Sequence, residues 1–225
     1  MASCCSPDRP PEPGSGAPEP PAPRRAEAAT VPDLEVSGAM VELAGGSFRM
    51  GCDPPWAYPE DGEGPVRTES VEPFAIDVGP VTNRAFGAFV DATGFETEAE
   101  RFGWSFVFGG LLPDDFPDTR AVAQAPWWRQ VYGATWSRPE GPHSDIAGRD
   151  DHPVVHVSWN DAAAFAAWAD KRLASEAEWE FAARGGLEGA VFPWGDELEP
   201  GGEHRMNVWQ GVFPSDNDLG DGYLG

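Results

Sequence analysis

The sequence predicts an α+β fold with little regular secondary structure, in which several short antiparallel strands and three helices are joined by long loops. The chain of 225 residues contains 27 glycines and 24 prolines, which favour turns and irregular segments. It also contains 10 tryptophans and 13 phenylalanines, enough large apolar side chains for a sizeable core. Three stretches carry helix start and stop signals, and the intervening strands are short.

The N-terminal residues differ from the rest in composition. Residues 1–37 are rich in Pro, Ala, Glu and Gly, and they cannot bury enough surface to offset the entropy of ordering. We therefore predict a disordered arm over 1–37 and a folded domain over 38–225. Cys4 and Cys5 in the arm are too few to favour a metal site.

The first ordered segment is predicted to be a hairpin. MVELAGGSFRMG, residues 40–51, alternates apolar and polar residues on both sides of Gly45-Gly46. After an acidic, proline-rich loop, Phe74 and Ile76 belong to a further strand.

The first helix is predicted to begin after Thr82, which acts as the N-cap, and to end at Gly94. Val81 and Phe86 flank this start and can form a hydrophobic staple. Residues 97–151 then read as mostly loop, pinned by aromatic side chains. These aromatic residues are Trp104, Phe106, Phe108, Trp127, Trp128 and Trp136.

Two further helices follow closely. Ser158 is the predicted N-cap of the first, with Asp161 at the position that can reach back. Its inward face is formed by Phe165, Trp168 and Ala169, and it is followed by the cations Lys171 and Arg172.

The last predicted helix begins after Ser175, with Glu178 completing a capping box. Trp179 and Ala182 are expected to face inward, and Gly185-Gly186 ends the helix. We assign Glu178 and its neighbouring carboxylates, Glu176 and Glu180, to capping and to the surface rather than to acid–base chemistry.

The charge balance excludes some partners. Fifteen basic residues against 38 acidic ones give a net charge of −23, so nucleic acid and an anionic membrane surface are not expected partners. Three cysteines do not make a disulfide framework, and no signal peptide or membrane span is evident. We expect a cytoplasmic monomer.

The four histidines do not suggest a metal centre. His152 and His156 lie in HPVVHVSW, which reads as a strand, where they would be too far apart to share an ion. By contrast, residues 216–221 contain several side chains with hard oxygen ligands in a loop that also contains glycine, a composition that suits calcium. They are Asp216, Asn217, Asp218 and Asp221. A solvated acidic loop is the alternative.

Several of these segments resemble one family. The chain closely resembles the formylglycine-generating enzymes, or sulfatase-modifying factors, of bacterial type in three segments. They are HPVVHVSWNDAAAFAAWADKRLASEAEWEFAARGG, MVELAGGSFRMG and the tripeptide VTN at the start of the first helix. The resemblance runs from Met40 to the last residue and implies the sulfatase-modifying-factor fold, within the C-type-lectin-like superfamily.

The resemblance implies site residues as well. It implies structural Ca²⁺ held by Asn207 and Asp221 through their side chains and by Val208 and Tyr223 through their carbonyl oxygens. It places three residues where the family builds its substrate groove: Ser105, Trp127 and Trp128.

The implied activity is oxidation of a cysteine in a CxPxR-type motif of an unfolded sulfatase peptide to formylglycine, using oxygen and copper(I) held by two cysteines. Those cysteines lie downstream of the WQGxFP loop in the family, and Cys52 matches neither of them. We therefore expect the C-terminal part of the fold to be missing, no catalytic residue in this chain, and an inactive fragment. The alternative is a non-catalytic C-type-lectin-like module that binds a peptide or a sugar.

Overall fold

The computed structural model describes residues 39–53 and 57–222. The predicted arm over 1–37 and Tyr223 of the predicted calcium set lie outside the described residues. The helices are α1 (Asn83–Thr93), α2 (Glu98–Phe102), α3 (Trp159–Trp168) and α4 (Glu176–Arg184). The strands are β1 (Met40–Leu43), β2 (Gly46–Met50), β3 (Arg67–Val71), β4 (Phe74–Asp77), β5 (Trp104–Phe108), β6 (Ala121–Val122), β7 (Ala125–Tyr132), β8 (Gly211–Val212) and β9 (Asp216–Asn217). Short strands and helices joined by irregular segments are the α+β arrangement that the sequence predicts.

The hairpin predicted over residues 40–51 is wrong. Instead, β1 pairs with β4 and β2 with β3, both antiparallel. The register continues across the break, since Leu43 lies opposite Phe74 and Gly46 opposite Val71. Gly45 has φ of +71°, and a Cβ there would clash with the carbonyl oxygen of Val71. The two glycines therefore bend one long ribbon and do not reverse the chain.

The main core lies where α1 meets α3. Its buried members are Ala85, Phe86, Phe89 and Phe165, and Trp136, Val157 and Trp168 are among the partly buried residues around them. The predicted N-cap is confirmed, because the Thr82 hydroxyl accepts the N–H of Ala85 at 3.3 Å. Gly94 ends the helix in the left-handed conformation, as predicted.

The prediction of a mostly irregular segment over 97–151 is wrong for its first part. That part forms α2 and a three-stranded sheet with the order β5–β7–β6. Thr97 and Glu100 form a complete capping box at α2, a signal that is visible in the sequence TEAE. Val107 and Val131 of the sheet pack on Ala134 in a second, smaller core.

The strand predicted for HPVVHVSW is also wrong. Pro153 forms only an isolated bridge with Thr82, and His156 has φ of 57°, in the left-handed region. A histidine with positive φ turns the chain and cannot continue a ladder. This turn directs the chain toward the N-terminus of α3.

Both capping boxes predicted for the last two helices are present, at Ser158 with Asp161 and at Ser175 with Glu178. Asp161 does more than was predicted. It is completely buried, and its carboxylate accepts the backbone N–H of Ser158 at 2.8 Å and that of Glu98 at 3.1 Å. One carboxylate thus caps the N-termini of both α2 and α3.

Trp179 does not face inward as predicted, since it is 64% exposed. The inward aromatic residue of α4 is Phe181, whose ring packs edge-on to Phe48 at 5.4 Å and Phe74 at 6.2 Å. Glu180 is also more than a surface residue, because its carboxylate accepts the N–H of Gly51 at 2.8 Å.

Candidate functional site

Five rings from three segments form an exposed aromatic cluster, which consists of Phe108, Trp127, Trp128, Trp209 and Phe213. Phe213 lies at its centre, with its ring centroid 4.9 Å from that of Trp127, 5.3 Å from Trp209 and 5.9 Å from Phe108. Trp128 contacts Phe108 across the β5–β7 pair at 6.2 Å. Phe213 remains 45% exposed and Trp128 43% exposed. The cluster therefore offers partly uncovered ring faces and edges to a ligand.

The β8–β9 hairpin presents Trp209 and Phe213 to the sheet. The indole N–H of Trp209 donates to the carbonyl of Asp216 at 3.0 Å, and the N–H of Asp218 donates to the carbonyl of Gln210 at 2.7 Å. These bonds close the loop on itself. Its two aromatic side chains pack against Phe108 and Trp127, which attaches the loop to β5 and β7.

Ser105 lies on the other face of β5. It pairs with Val131, whereas Phe108 pairs with Trp128, and residues three apart on a strand point to opposite faces. Of the three residues predicted for the substrate groove, Trp127 and Trp128 both belong to the aromatic cluster, through contacts with Phe213 and Phe108, whereas the side chain of Ser105 contacts His156.

The partner of Ser105 is His156. Its Nδ1 lies 2.8 Å from the Ser105 hydroxyl oxygen, and its Nε2 lies 2.8 Å from the carbonyl oxygen of Pro139. A carbonyl only accepts, so Nε2 carries the hydrogen and the neutral ring accepts the Ser105 hydroxyl at Nδ1. Burial lowers the pKa of His156 from its ordinary 6.5, against smaller opposing effects of the Pro139 carbonyl and the Glu140 charge. The neutral imidazole thus joins β5 to the segment before α3.

The acidic loop at the end of the described chain supplies oxygen ligands. The bond between Asp218 and Gln210 brings the two flanks of the hairpin together, with Asn207 and Val208 on one side and Asp221 on the other. The carbonyl of Val208 also accepts the side-chain N–H of Gln210 at 3.2 Å. Amide, carbonyl and carboxylate oxygens fit calcium in type. The described residues bring together no group of three His, Cys, Asp or Glu side chains, so most ligands here would be neutral oxygens.

Cys52 is the cysteine that the described residues contain, and its surroundings do not suit copper. Its sulfur lies 3.7 Å from a carboxylate oxygen of Glu63. Burial raises the pKa of the thiol, and the charge of Glu63 adds to the effect. Copper(I) prefers thiolates, and a single thiol kept protonated does not provide the pair that such a centre needs. The described residues therefore do not fit a copper centre.

Among the described residues, no helix is long and apolar enough to cross a bilayer.

Comparison with known proteins identifies the family. The profile of the sulfatase-modifying factor enzyme 1-like domain matches residues 26–223. The chain belongs to this family, and its mixed helices and short strands are the sulfatase-modifying-factor fold.

Two relatives of similar identity to this chain differ in the activity that their names state. A formylglycine-generating enzyme of Thermomonospora curvata is 58% identical over 85% of this chain and 63% of its own length. A protein of Bos taurus named inactive C-alpha-formylglycine-generating enzyme 2 is 52% identical over 83% of this chain and 61% of its own. The chain thus spans less than two thirds of either relative. Among solved structures, PvdO from Pseudomonas aeruginosa covers 72% of this chain and 52% of its own, with 29% identity and a TM-score of 0.43.

Sequence reasoning missed two features of the site. It did not connect His156 with Ser105, because these residues are 51 positions apart in the sequence. It did not place Trp209 and Phe213, which belong to the segment WQGVFP, beside the tryptophan pair either.

Proposed function

We propose that this chain forms the substrate-binding scaffold of a formylglycine-generating enzyme, whose complete form oxidises a cysteine in a CxPxR-type sulfatase motif with oxygen and copper. Membership of the family and the 58% identity to a relative of that name support the proposal. The observation that carries it is the aromatic cluster, which offers uncovered ring surface where the β8–β9 loop meets β5 and β7. An unfolded peptide that contains proline suits such a surface, because proline and aliphatic groups pack on aromatic faces.

We further propose that the chain is inactive by itself. Cys52 is the cysteine among the described residues, and its protonated thiol beside Glu63 cannot form a two-thiolate centre. The 52% identical relative named inactive indicates that this scaffold also occurs without catalysis. Copper(I), oxygen and a CxPxR peptide are added to the purified chain, and the peptide is analysed by mass spectrometry. We expect no aldehyde, and its appearance would overturn this part of the proposal.

The family activity is tested with a chimera. Residues 1–225 are joined to the part of the Thermomonospora curvata relative that lies outside the matched region. With copper and oxygen, the chimera is expected to convert the peptide, because it combines this scaffold with the remaining residues. A folded chimera that gives no aldehyde contradicts the assignment of the scaffold to this reaction.

Peptide binding is tested on the chain itself. Trp127 and Trp128 are proposed to contact the peptide, and Ser105 remains a third candidate, although its hydroxyl hydrogen is committed to His156. Trp128→Ala is expected to weaken peptide binding about tenfold, as loss of an aromatic contact worth about 1.4 kcal/mol implies. Trp159→Ala is the control, since Trp159 is 73% exposed and makes no ring contact with the cluster. Equal effects of the two variants would exclude the aromatic cluster as the peptide site.

The exposed rings also support a second candidate function, a non-catalytic module that binds a peptide or a sugar. Such a module needs neither copper nor oxygen. If the chimera folds and binds the CxPxR peptide but produces no aldehyde, this second function replaces the first.

We also propose Ca²⁺ as a structural ion, held by Asn207, Val208 and Asp221, with Tyr223 as the further ligand. The support is the family resemblance together with the type of oxygen donor that these residues carry on the two flanks of the β8–β9 hairpin. Calcium at 100 times its dissociation constant would stabilise the fold by about 2.7 kcal/mol. We expect Ca²⁺ to raise the melting temperature of the chain but not that of Asp221→Asn, while Asp115→Asn keeps the effect. If wild type and Asp221→Asn respond alike, this site is wrong.

A further inference from the structure

The outer face of the β5–β7–β6 sheet carries mostly aromatic side chains. Residues directly opposite each other in an antiparallel pair, and alternate residues along one strand, point to the same face of a sheet. Three pairs therefore form successive rows on the outer face: Trp104–Tyr132, Phe106–Gln130 and Phe108–Trp128. The inner face carries Val107 and Val131, which are buried in the second core.

Much of this outer face is exposed. Phe106 is 42% exposed and Tyr132 is 66% exposed, and the ring of Trp104 packs edge-on to that of Phe106 at 5.1 Å. An antiparallel sheet with one buried face ordinarily presents polar side chains on the other, so these rings indicate a surface that meets a partner. The face is continuous with the aromatic cluster, because Phe108 and Trp128 belong to both.

The middle row of the face also contains polar groups. Gln130 lies opposite Phe106 on one side, and on the other side its N–H donates to the carbonyl of Arg120 at 2.8 Å. The same register places Ala121 of β6 opposite Arg129 of β7. Arg120 is thus opposite Gln130, and its exposed side chain belongs to the face that carries the rings.

Arg120 has a charge that the described residues do not compensate. Its neighbour Arg129 binds Asp118 at 3.5 Å. No carboxylate of the described residues forms an ion pair with Arg120, including the exposed Asp114 and Asp115 in the segment before β6. A guanidinium binds a carboxylate through two parallel hydrogen bonds. The middle row therefore fits an acidic group, and the outer rows fit apolar groups.

On the basis of the peptide-binding function proposed above, we propose that this face binds an extended flank of the same peptide, and that Arg120 and Gln130 hold an acidic side chain of that flank. An extended peptide rises by about 3.3 Å per residue, as a strand does, so every second residue meets one row. The residues two positions before and after the acidic one then pack on the rings of the outer rows. The recognised pattern is apolar-x-acidic-x-apolar, next to the CxPxR motif.

Fluorescence anisotropy with labelled peptides tests this without an activity assay. The peptides contain the CxPxR motif with the segment Leu-Ser-Asp-Ser-Leu either before or after it, and in matched peptides the Asp is replaced by Asn. We expect one of the two Asp peptides to bind about threefold more tightly than its Asn counterpart, as an exposed ion pair implies. The difference should shrink at high salt. Equal affinity of Asp and Asn in both positions would contradict the proposal.

Variants of the middle row test the assignment of the carboxylate. Arg120→Gln is expected to remove the preference for Asp, and Arg120→Glu should favour a peptide with Lys in place of Asp. Arg49→Gln is the matched control, since Arg49 is also exposed but lies on β2, outside this sheet. Phe106→Ala should weaken every flanked peptide about fivefold and leave a peptide of the motif alone unchanged. A preference for Asp that survives in Arg120→Gln would overturn the assignment.

The peptide of the motif alone separates this proposal from the proposed function. If that peptide binds and Trp128→Ala weakens it, but neither flank changes its affinity, the proposed function stands and the flank site is wrong. If the flank segment binds without the motif and depends on Arg120, the flank site is right and the assignment of the motif to the aromatic cluster fails. If the chimera does not distinguish Asp from Asn, the added part of the domain covers this face, and the proposal is equally wrong.

Discussion

Replacement of Asp161 is expected to destabilise the N-terminal turns of α2 and α3 together. Its buried carboxylate accepts the N–H of Ser158, the N-cap of α3, and the N–H of Glu98 at the first position of α2. No water reaches this side chain, which has 0% exposure. Asp161→Ala would leave both donors without a partner inside the protein.

The cost follows from these two bonds. Each buried donor left without an acceptor costs about 1–3 kcal/mol, and loss of the capping interaction at α3 overlaps with one of them. We expect Asp161→Ala to lower the free energy of unfolding by about 2–5 kcal/mol, a large part of the stability of a domain of this size. Asp161→Asn keeps one acceptor oxygen and should cost less than Asp161→Ala.

Urea denaturation measures this directly, because a change of midpoint at constant slope reports a change in stability. Asp91→Ala is the matched control. Asp91 is exposed on α1, and its replacement should change stability by no more than about 0.5 kcal/mol. Amide exchange of Glu98 should accelerate in Asp161→Ala. The reasoning is refuted if Asp161→Ala lies within 0.5 kcal/mol or so of the wild type, or if Glu98 exchanges as before.

Two predictions concern pH. The pKa of His156 in the folded protein is below its ordinary 6.5, so the unfolded chain binds this proton more readily and stability falls as the pH drops below 6.5. The difference between the melting temperatures at pH 7.5 and 5.5 should be smaller in His156→Asn, because asparagine tolerates the same backbone conformation but does not titrate. An unchanged difference would show that another group is responsible. Hydrogen bonding to Arg172, supported by the N–H of Ser175, lowers the pKa of Glu178 to about 2, so the stabilisation that Glu178 provides is complete above pH 4.5 and is lost as the pH falls toward 2. In Arg172→Gln, the free energy of unfolding should therefore depend less on pH between 4.5 and 2. Arg101→Gln is the comparison, because its partner Glu98 is also held by Asn160.

Local signals predicted the helices well. The caps at Thr82, Ser158 and Ser175 and the stops at Gly94 and Gly185 were placed from side chains that act within one turn of their own position. A hydrogen bond from a side-chain oxygen to an amide three residues later depends on little else in the chain. The box at Thr97 obeys the same rule and could have been found in the same way.

Long-range features were beyond this kind of reasoning. Gly45-Gly46 fits a hairpin by its own chemistry, and only the distant partners in β3 and β4 make it a bend in a ribbon. The contact of Ser105 with His156 and the meeting of Phe213 with Trp127 depend on how the loops fold back over the sheet. The inward position expected for Trp179 is occupied by Phe181, whose ring contacts Phe48 of β2 and Phe74 of β4.

The two named relatives limit what the matched region can determine. One is named as an enzyme and the other as inactive, yet they match nearly the same share of this chain at 58% and 52% identity. A match over this region at this level of identity therefore does not by itself decide catalysis. The donor set agrees, since the described residues offer a protonated thiol at Cys52 and no thiolate pair.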